Sequence, residues 1–287
     1  MKEILSIKEG QDYLYNNFEN IEVEDIDVSR NLCYIFFSSN GLYENNFEKF
    51  YMSMIEENRF EWKSIAEAVK KRKCVGRIIY IRDVYKRFYI HGINKELNTV
   101  SKVLDKLKDL TEGYKVITIG VSSGGYMATV AGVELGAESV FSISGQFDIS
   151  ALMLEGINEL EENEKKYLNI ISKVKEQTKG NIFYFCPIGC ENDRLNFEMV
   201  KNIDNVKCFL FSSDKHADTV YPFNFPDIFC SKSEKLERLS DKYNRVLWSK
   251  VRFAMKTFTL CGIIEFVGRV IKGKFILKNI KKMWDVK

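Results

Sequence analysis

Six short runs of β-branched and aromatic residues, separated by stretches long enough to hold helices, constrain this 287-residue chain more than any other feature. They read LCYIFFSS (32–39), GRIIYIRD (76–83), KVITIG (115–120), ESVFSIS (138–144), NIFYFCPIG (181–189) and VKCFLFSS (206–213). Parallel neighbours need crossover connections, and a sheet wound with helices is covered on both faces, so its strands are near-continuous apolar runs. NKELNTVSKVLDKLKDL (94–110) supplies a helical stripe through Leu97, Val100, Val103, Leu104, Leu107 and Leu110. The pattern predicts an α/β chain with a mostly parallel central sheet flanked by helices. The first 30 residues, with the acidic IEVEDIDV, supply one or two antiparallel edge strands.

The third run leads directly into GVSSGGYMATVAG, so that Gly120-Val121-Ser122-Ser123-Gly124 fits G-x-S-x-G with Ser122 at its centre. The four-letter pattern is weak alone, but a strand before it and a small-residue helix after it make the context of a nucleophile elbow. Such a turn holds the serine in a strained conformation and aims its hydroxyl out of the carboxyl end of the sheet. A serine hydroxyl needs a base and an orienting acid to act at neutral pH. The chain has two histidines, and only His216, in SSDKHADTVYP after the sixth run, follows the serine as the order Ser, acid, His requires. Asp193, in PIGCENDRLN after the fifth run, is the leading acid, with Asp148 after ESVFSIS as its rival. For the oxyanion, one donor is expected from the backbone of Ser123 and the other from SSNG after the first run, at Ser39 or Asn40.

With these residues in view the chain resembles the α/β-hydrolase superfamily over roughly residues 30–220. Within it, FFSSNG, IIYIRDVYKRFYIHGIN and the elbow resemble bacterial proteins encoded with surface-polysaccharide genes, which are similar to the glycan O-acetyltransferase component of accessory Sec systems. Arg82, Asp83, Phe88, Tyr89 and Gly92 match the stretch R-D-x-x-x-x-(aromatic)-Y-x-x-G of that group. The resemblance implies acyl-ester chemistry on a carbohydrate, with hydrolysis and transfer both open. Read from the residues, Arg82, Asp83, Tyr89 and His91 either line a sugar-binding rim or, for Arg82 and Asp83, form an internal ion pair that props it.

A net charge of +3 conceals a division. From Lys232 onward, 15 Lys and Arg stand against 5 Asp and Glu, while the preceding residues carry 28 against 35. We therefore expect a catalytic domain over 1–231 and a basic helical extension over 232–287. The extension either lies on an anionic membrane surface or packs on the sheet, on a second copy or on a glycan-assembly partner. Its apolar stretch 257–271 is too short to span a bilayer, and no nucleic-acid motif accompanies the charge. The N-terminus lacks the apolar core of a secretory signal, which predicts a cytoplasmic chain. The seven cysteines sit mostly in apolar runs, as free thiols would. No second Cys or His pair joins Cys186 and Cys190, so neither metal nor other cofactor is expected. The composite expectation is a serine esterase or O-acyltransferase acting on an acylated, above all acetylated, carbohydrate. The alternative is a non-catalytic scaffold of a glycan-assembly or export complex that kept the fold.

Overall fold

The computed structural model describes residues 5–72, 75–152, 155–177, 179–244 and 246–258. All six expected strands are present, flanked by one more at each end. They are β1 (Ile21–Asp25), β2 (Leu32–Phe37), β3 (Arg77–Ile81), β4 (Lys115–Val121), β5 (Ser139–Ile143), β6 (Asn181–Pro187), β7 (Val206–Phe211) and β8 (Leu247–Trp248). One sheet contains them in the order β1-β3-β2-β4-β5-β6-β7-β8. Only β1 runs antiparallel, against β3, as the acidic N-terminal edge; every other neighbouring pair is parallel.

Alternation along the strands divides the core. Cys33, Ile35 and Phe37 face one layer with Val103, Leu104, Tyr126 and Met127. Tyr34 and Phe36 face the other with Ala66, Phe229 and Phe253. Both sides of the central strands are thereby dry, which is why these segments read as unbroken apolar runs rather than alternating ones. The strand order sends the chain outward from β2 to β3 and then back past β2 to β4. Loops at the carboxyl ends of β2 and β4 part at this reversal and leave a crevice, the usual place for a site in an open α/β sheet. This order, with the strand-turn-helix at Ser122, is the α/β-hydrolase fold.

Two expectations need adjustment. The stripe expected as a helix over 94–110 becomes helical only from Val100 to Thr111. Asn94 Oδ1 accepts from the amides of Glu96 and Leu97, giving the chain a local turn instead, and the Thr99 hydroxyl then caps the helix by accepting from Lys102 N–H.

The line expected between residues 231 and 232 is not a break in packing. Beyond it, β8 pairs with β7, and Leu236, Trp248 and Phe253 are buried in the same layer as β6 and β7. The Phe253 ring sits 5.9, 5.1 and 5.2 Å from those of Phe185, Phe209 and Phe211. Sequence reading missed β8 because two residues are too few to show a period. Residues 259–287, which hold nearly all of the apolar stretch considered for a membrane surface, lie outside the described residues. No helix of the described residues is long and apolar enough to cross a membrane.

Because Phe253 fills an aromatic cluster under the last strands, Phe253→Ala is expected to lower the free energy of unfolding by about 3–5 kcal/mol. Urea unfolding followed by tryptophan fluorescence and far-ultraviolet circular dichroism should give one coincident transition. A separate early transition for the C-terminal segment would contradict its place in the core.

Candidate active site

Strand β4 delivers the chain to Ser122, and a buried helix, Ser123–Glu134, leaves it. Ser122 has φ 55° and ψ −121°, a conformation that costs a non-glycine residue about 1–3 kcal/mol. Two glycines make the turn possible. A Cβ on Gly120 would stand 2.0 Å from Gly124 O, and one on Gly124 would stand 2.4 Å from Phe37 O. The turn is pinned from the neighbouring strand, where Ile143 O accepts from Ser122 N–H at 2.8 Å.

Ser122, His216 and Asp193 come together above the carboxyl ends of β4, β7 and β6. Ser122 Oγ lies 2.9 Å from His216 Nε2, and Asp193 Oδ2 lies 2.9 Å from His216 Nδ1. A neutral imidazole with its proton on Nδ1, donated to the carboxylate, leaves Nε2 free to accept from the serine. Asp193 is wholly buried in the first turn of the helix Glu191–Val200, whereas His216 sits on a more open loop. That loop is held by Ser144 Oγ, which accepts from Ala217 N–H, and by Ser212 N–H, which donates to Trp248 O. The rival acid, Asp148, is engaged elsewhere, accepting from Ser150 and from the Asn169 amide. Asp218, beside His216, pairs with Lys250 and accepts from Ser213 Oγ.

The loop after β2 differs from expectation. Ser39 N–H is already bonded to Glu61 Oε2 at 2.5 Å, and Ser39 Oγ donates to Glu61 Oε1 at 3.2 Å. Ser39 is therefore not a free oxyanion donor. Asn40 N–H instead points to the elbow, meeting Ser123 Oγ at 3.1 Å, and Ser123 Oγ donates in return to Asn40 Oδ1. The backbone N–H of Ser123 opens the helix, where the first-turn amides lack intrahelical acceptors. Two amides, of Ser123 and Asn40, thus border the serine, and the Ser123 side chain links the two segments that carry them. Glu61 escaped sequence reading because an isolated glutamate in a charged segment carries no signal. Burial pushes its carboxyl up, opposed by the two bonds from Ser39.

Arg82, Asp83 and Tyr89 do not line an open rim. All three are buried, and they work from beneath. Arg82 donates to Asn20 Oδ1, Asn58 Oδ1 and Arg59 O, tying together two separate segments; it is not paired with Asp83. Asp83 accepts from the amides of Tyr85, Arg87 and Tyr89 at 3.1, 2.6 and 2.9 Å. Those bonds hold a loop in which Lys86, Phe88 and Tyr89 all have positive φ. Tyr89 Oη then donates to Ser38 O at 2.7 Å, so the loop after β2 is held by Tyr89 on one side and Glu61 on the other. His91 Nε2–H donates to Glu155 O, far in role from the serine.

Beside the triad lies a cavity of about 990 Å³ whose walls include Arg59, Glu61, Trp62, Ala217, Pro222 and Phe225. Among the described residues, the segment between β5 and β6, which could have formed a lid, contains only short helical turns, Ile157–Glu159, Glu162–Lys165 and Ile171–Glu176. Among the described residues, Cys33, Cys186, Cys190 and Cys208 are in no disulfide.

Asp83→Asn would replace an oxygen that accepts backbone amides with an N–H₂ group or leave one amide unmatched. It is expected to cost about 1–3 kcal/mol of stability in a denaturant titration. An unchanged midpoint would show that the strained loop does not depend on this carboxylate.

No protein-family model matches the chain, and no curated protein matches it in sequence. Solved structures similar to it are distant. The capsule O-acetyltransferase of Neisseria meningitidis serogroup A is 14% identical, covered over 69% of this chain and 85% of its own, with a TM-score of 0.43. MPT51 of Mycobacterium tuberculosis is 11% identical over 77% of this chain and 91% of its own, at 0.46. An S-formylglutathione hydrolase of Staphylococcus aureus is 14% identical over 66% and 83%, at 0.41. The α/β-hydrolase assignment rests on the strand order and the elbow of this chain itself.

Proposed function

We propose that the protein is a serine esterase or O-acyltransferase working through an acyl-enzyme. The observation that carries this reading is the chain of two 2.9 Å contacts from Ser122 Oγ through His216 to Asp193, set on a strained strand-to-helix turn. Ser122 Oγ attacks the carbonyl carbon of an ester as its proton passes to His216 Nε2. The imidazolium is stabilised by Asp193, whose carboxylate keeps the Nδ1 proton in place. Negative charge gathering on the former carbonyl oxygen is met by the amides of Ser123 and Asn40. His216 then gives its proton to the departing alcohol, leaving the acyl group on Ser122. Water or a sugar hydroxyl, deprotonated by the same imidazole, attacks that ester and frees the serine.

The acyl group we propose is small, acetyl above all. Only short helices follow β5, and the adjoining cavity mixes aromatic walls with charged residues, a surface suited to a hydroxylated acceptor rather than to a fatty chain. A carbohydrate ester is the substrate class, and glycan assembly at a surface polysaccharide is the setting we propose. In that setting the basic residues beyond Lys232 would bring a cytoplasmic enzyme to an anionic membrane face or to an assembly partner.

A fluorophosphonate probe tests the central step. The folded wild-type protein should be labelled and Ser122→Ala should not, while Ser123→Ala should still be labelled, but more slowly, because its backbone amide stays while the side-chain link to Asn40 is lost. Asp193→Asn should lower kcat for p-nitrophenyl acetate by about ten-thousandfold. Absence of label on correctly folded wild type would refute the enzyme reading. Acetate release compared with acetyl transfer to an oligosaccharide then distinguishes hydrolase from transferase.

A further inference from the structure

We propose that Cys190, Asp193 and His216 form a binding site for a soft divalent cation of the zinc type, and that its occupancy switches the serine off. One donor atom from each residue lies within 4.8 Å of the other two. Cys190 immediately precedes the helix Glu191–Val200 and is half-buried, with no capping hydrogen bond from its side chain. Its thiol faces the amides of Asn192 and Asp193 in the first turn of that helix, and the Asp193 carboxylate.

An independent feature points to a cation there. Asp193 is wholly buried; Oδ2 is bonded to His216, and among the described residues the only other side chain directed at the carboxylate is the Cys190 thiol. A buried carboxylate oxygen with so weak a donor is costly, and a metal ion satisfies it more fully than a neutral thiol can. Thiolate, imidazole and carboxylate are all ordinary zinc ligands, at about 2.3, 2.0 and 2.0–2.2 Å. Tetrahedral coordination at those lengths places donor atoms roughly 3.3–3.7 Å apart, so shifts of about an ångström close the site. The His216 ring, more exposed than the Asp193 carboxylate, is the side chain with room to make them. Three protein ligands leave a fourth position open to water.

The chemistry of occupancy balances simply. The thiol of Cys190 loses its proton to water and its sulfur binds the metal. The metal takes the place of the proton on His216 Nδ1, and that proton is taken up at Nε2, keeping the ring neutral. Nε2 then carries hydrogen and has no lone pair to accept from Ser122. The same ring that serves as base in one tautomer is disabled in the other. Magnesium and calcium, which take oxygen ligands, have no use for the thiolate.

Binding stands on the three side chains alone, while loss of activity rests on the serine-hydrolase reading. The test therefore measures both. Zinc chloride is titrated into the wild type, Ser122→Ala and Cys190→Ala in competition with a chromophoric chelator, and p-nitrophenyl acetate turnover is followed in parallel. Wild type and Ser122→Ala should bind one zinc per chain, and Cys190→Ala should bind at least tenfold more weakly. Wild-type turnover should fall with occupancy and return on adding EDTA, magnesium chloride should have no effect, and Cys190→Ala should keep its basal rate. Equal affinity in wild type and Cys190→Ala, or no stoichiometric binding by wild type, overturns the site. Stoichiometric binding with undiminished turnover overturns the switch. Should the wild type take no fluorophosphonate, the functional reading fails by itself, and the chelator titration still decides the site.

Discussion

The backbone at Ser122 is the point on which the rest of the site depends. An L-residue there holds a positive φ only because the chain is pinned on both sides: by the β4 ladder before it, and after it by a helix that is buried along its first ten residues. The glycines at 120 and 124 are forced by space, since a single methyl at either would strike a backbone oxygen. Strain of this sort persists only when its surroundings over-determine it. Here the surroundings are β4 and its neighbours β2 and β5, central and buried, and the free energy of the core holds a side chain where isolated chemistry would not place it.

The polar half of the site is held by a different means. Its loops bury some apolar side chains, Tyr89, Ile90 and Ile93 among them, and three carboxylates anchor their backbone and the imidazole. Asp83 collects three amides of one loop, Glu61 grips Ser39, and Asp193 orients His216. Burial raises the cost of ionising Asp83 and Glu61, and the donors they gather offset part of that cost. Each anchor comes from a connection distant in sequence from the loop or ring it holds, or from the start of the loop itself. The amides bordering the crevice are thereby fixed in place, that of Ser39 on Glu61 and that of Asn40 on Ser123 Oγ.

Much of this was legible in the chain. Period and composition expose a strand that is buried on both faces, so all six interior runs could be read, and chain order narrowed the serine, acid and base to a few residues. What could not be read has common physical causes. Strand β8 is too short to carry a period. The helix start slipped from residue 94 to Val100 because the Asn94 side chain competes for its own backbone. Arg82 and Tyr89 look like surface residues by type, yet Arg82 finds three acceptors and Tyr89 a carbonyl, which makes their burial affordable. Glu61 has no pattern at all. Long-range polar partners leave no periodic trace, and the oxyanion loop is built from such partners.

The attachment of the C-terminal segment to the histidine loop has a temporal meaning. The loop bearing His216 hangs between Ser212, whose amide is held by Trp248, and Asp218, which is paired with Lys250. During synthesis the elbow, the oxyanion loop and the acid are all complete well before residues 248 and 250 emerge. A nascent chain therefore carries Ser122 without a fixed His216 until residues 248 and 250 have been made. The geometry at Ser122 is thus incomplete in the shorter polypeptide, and β8 is the strand whose pairing completes it.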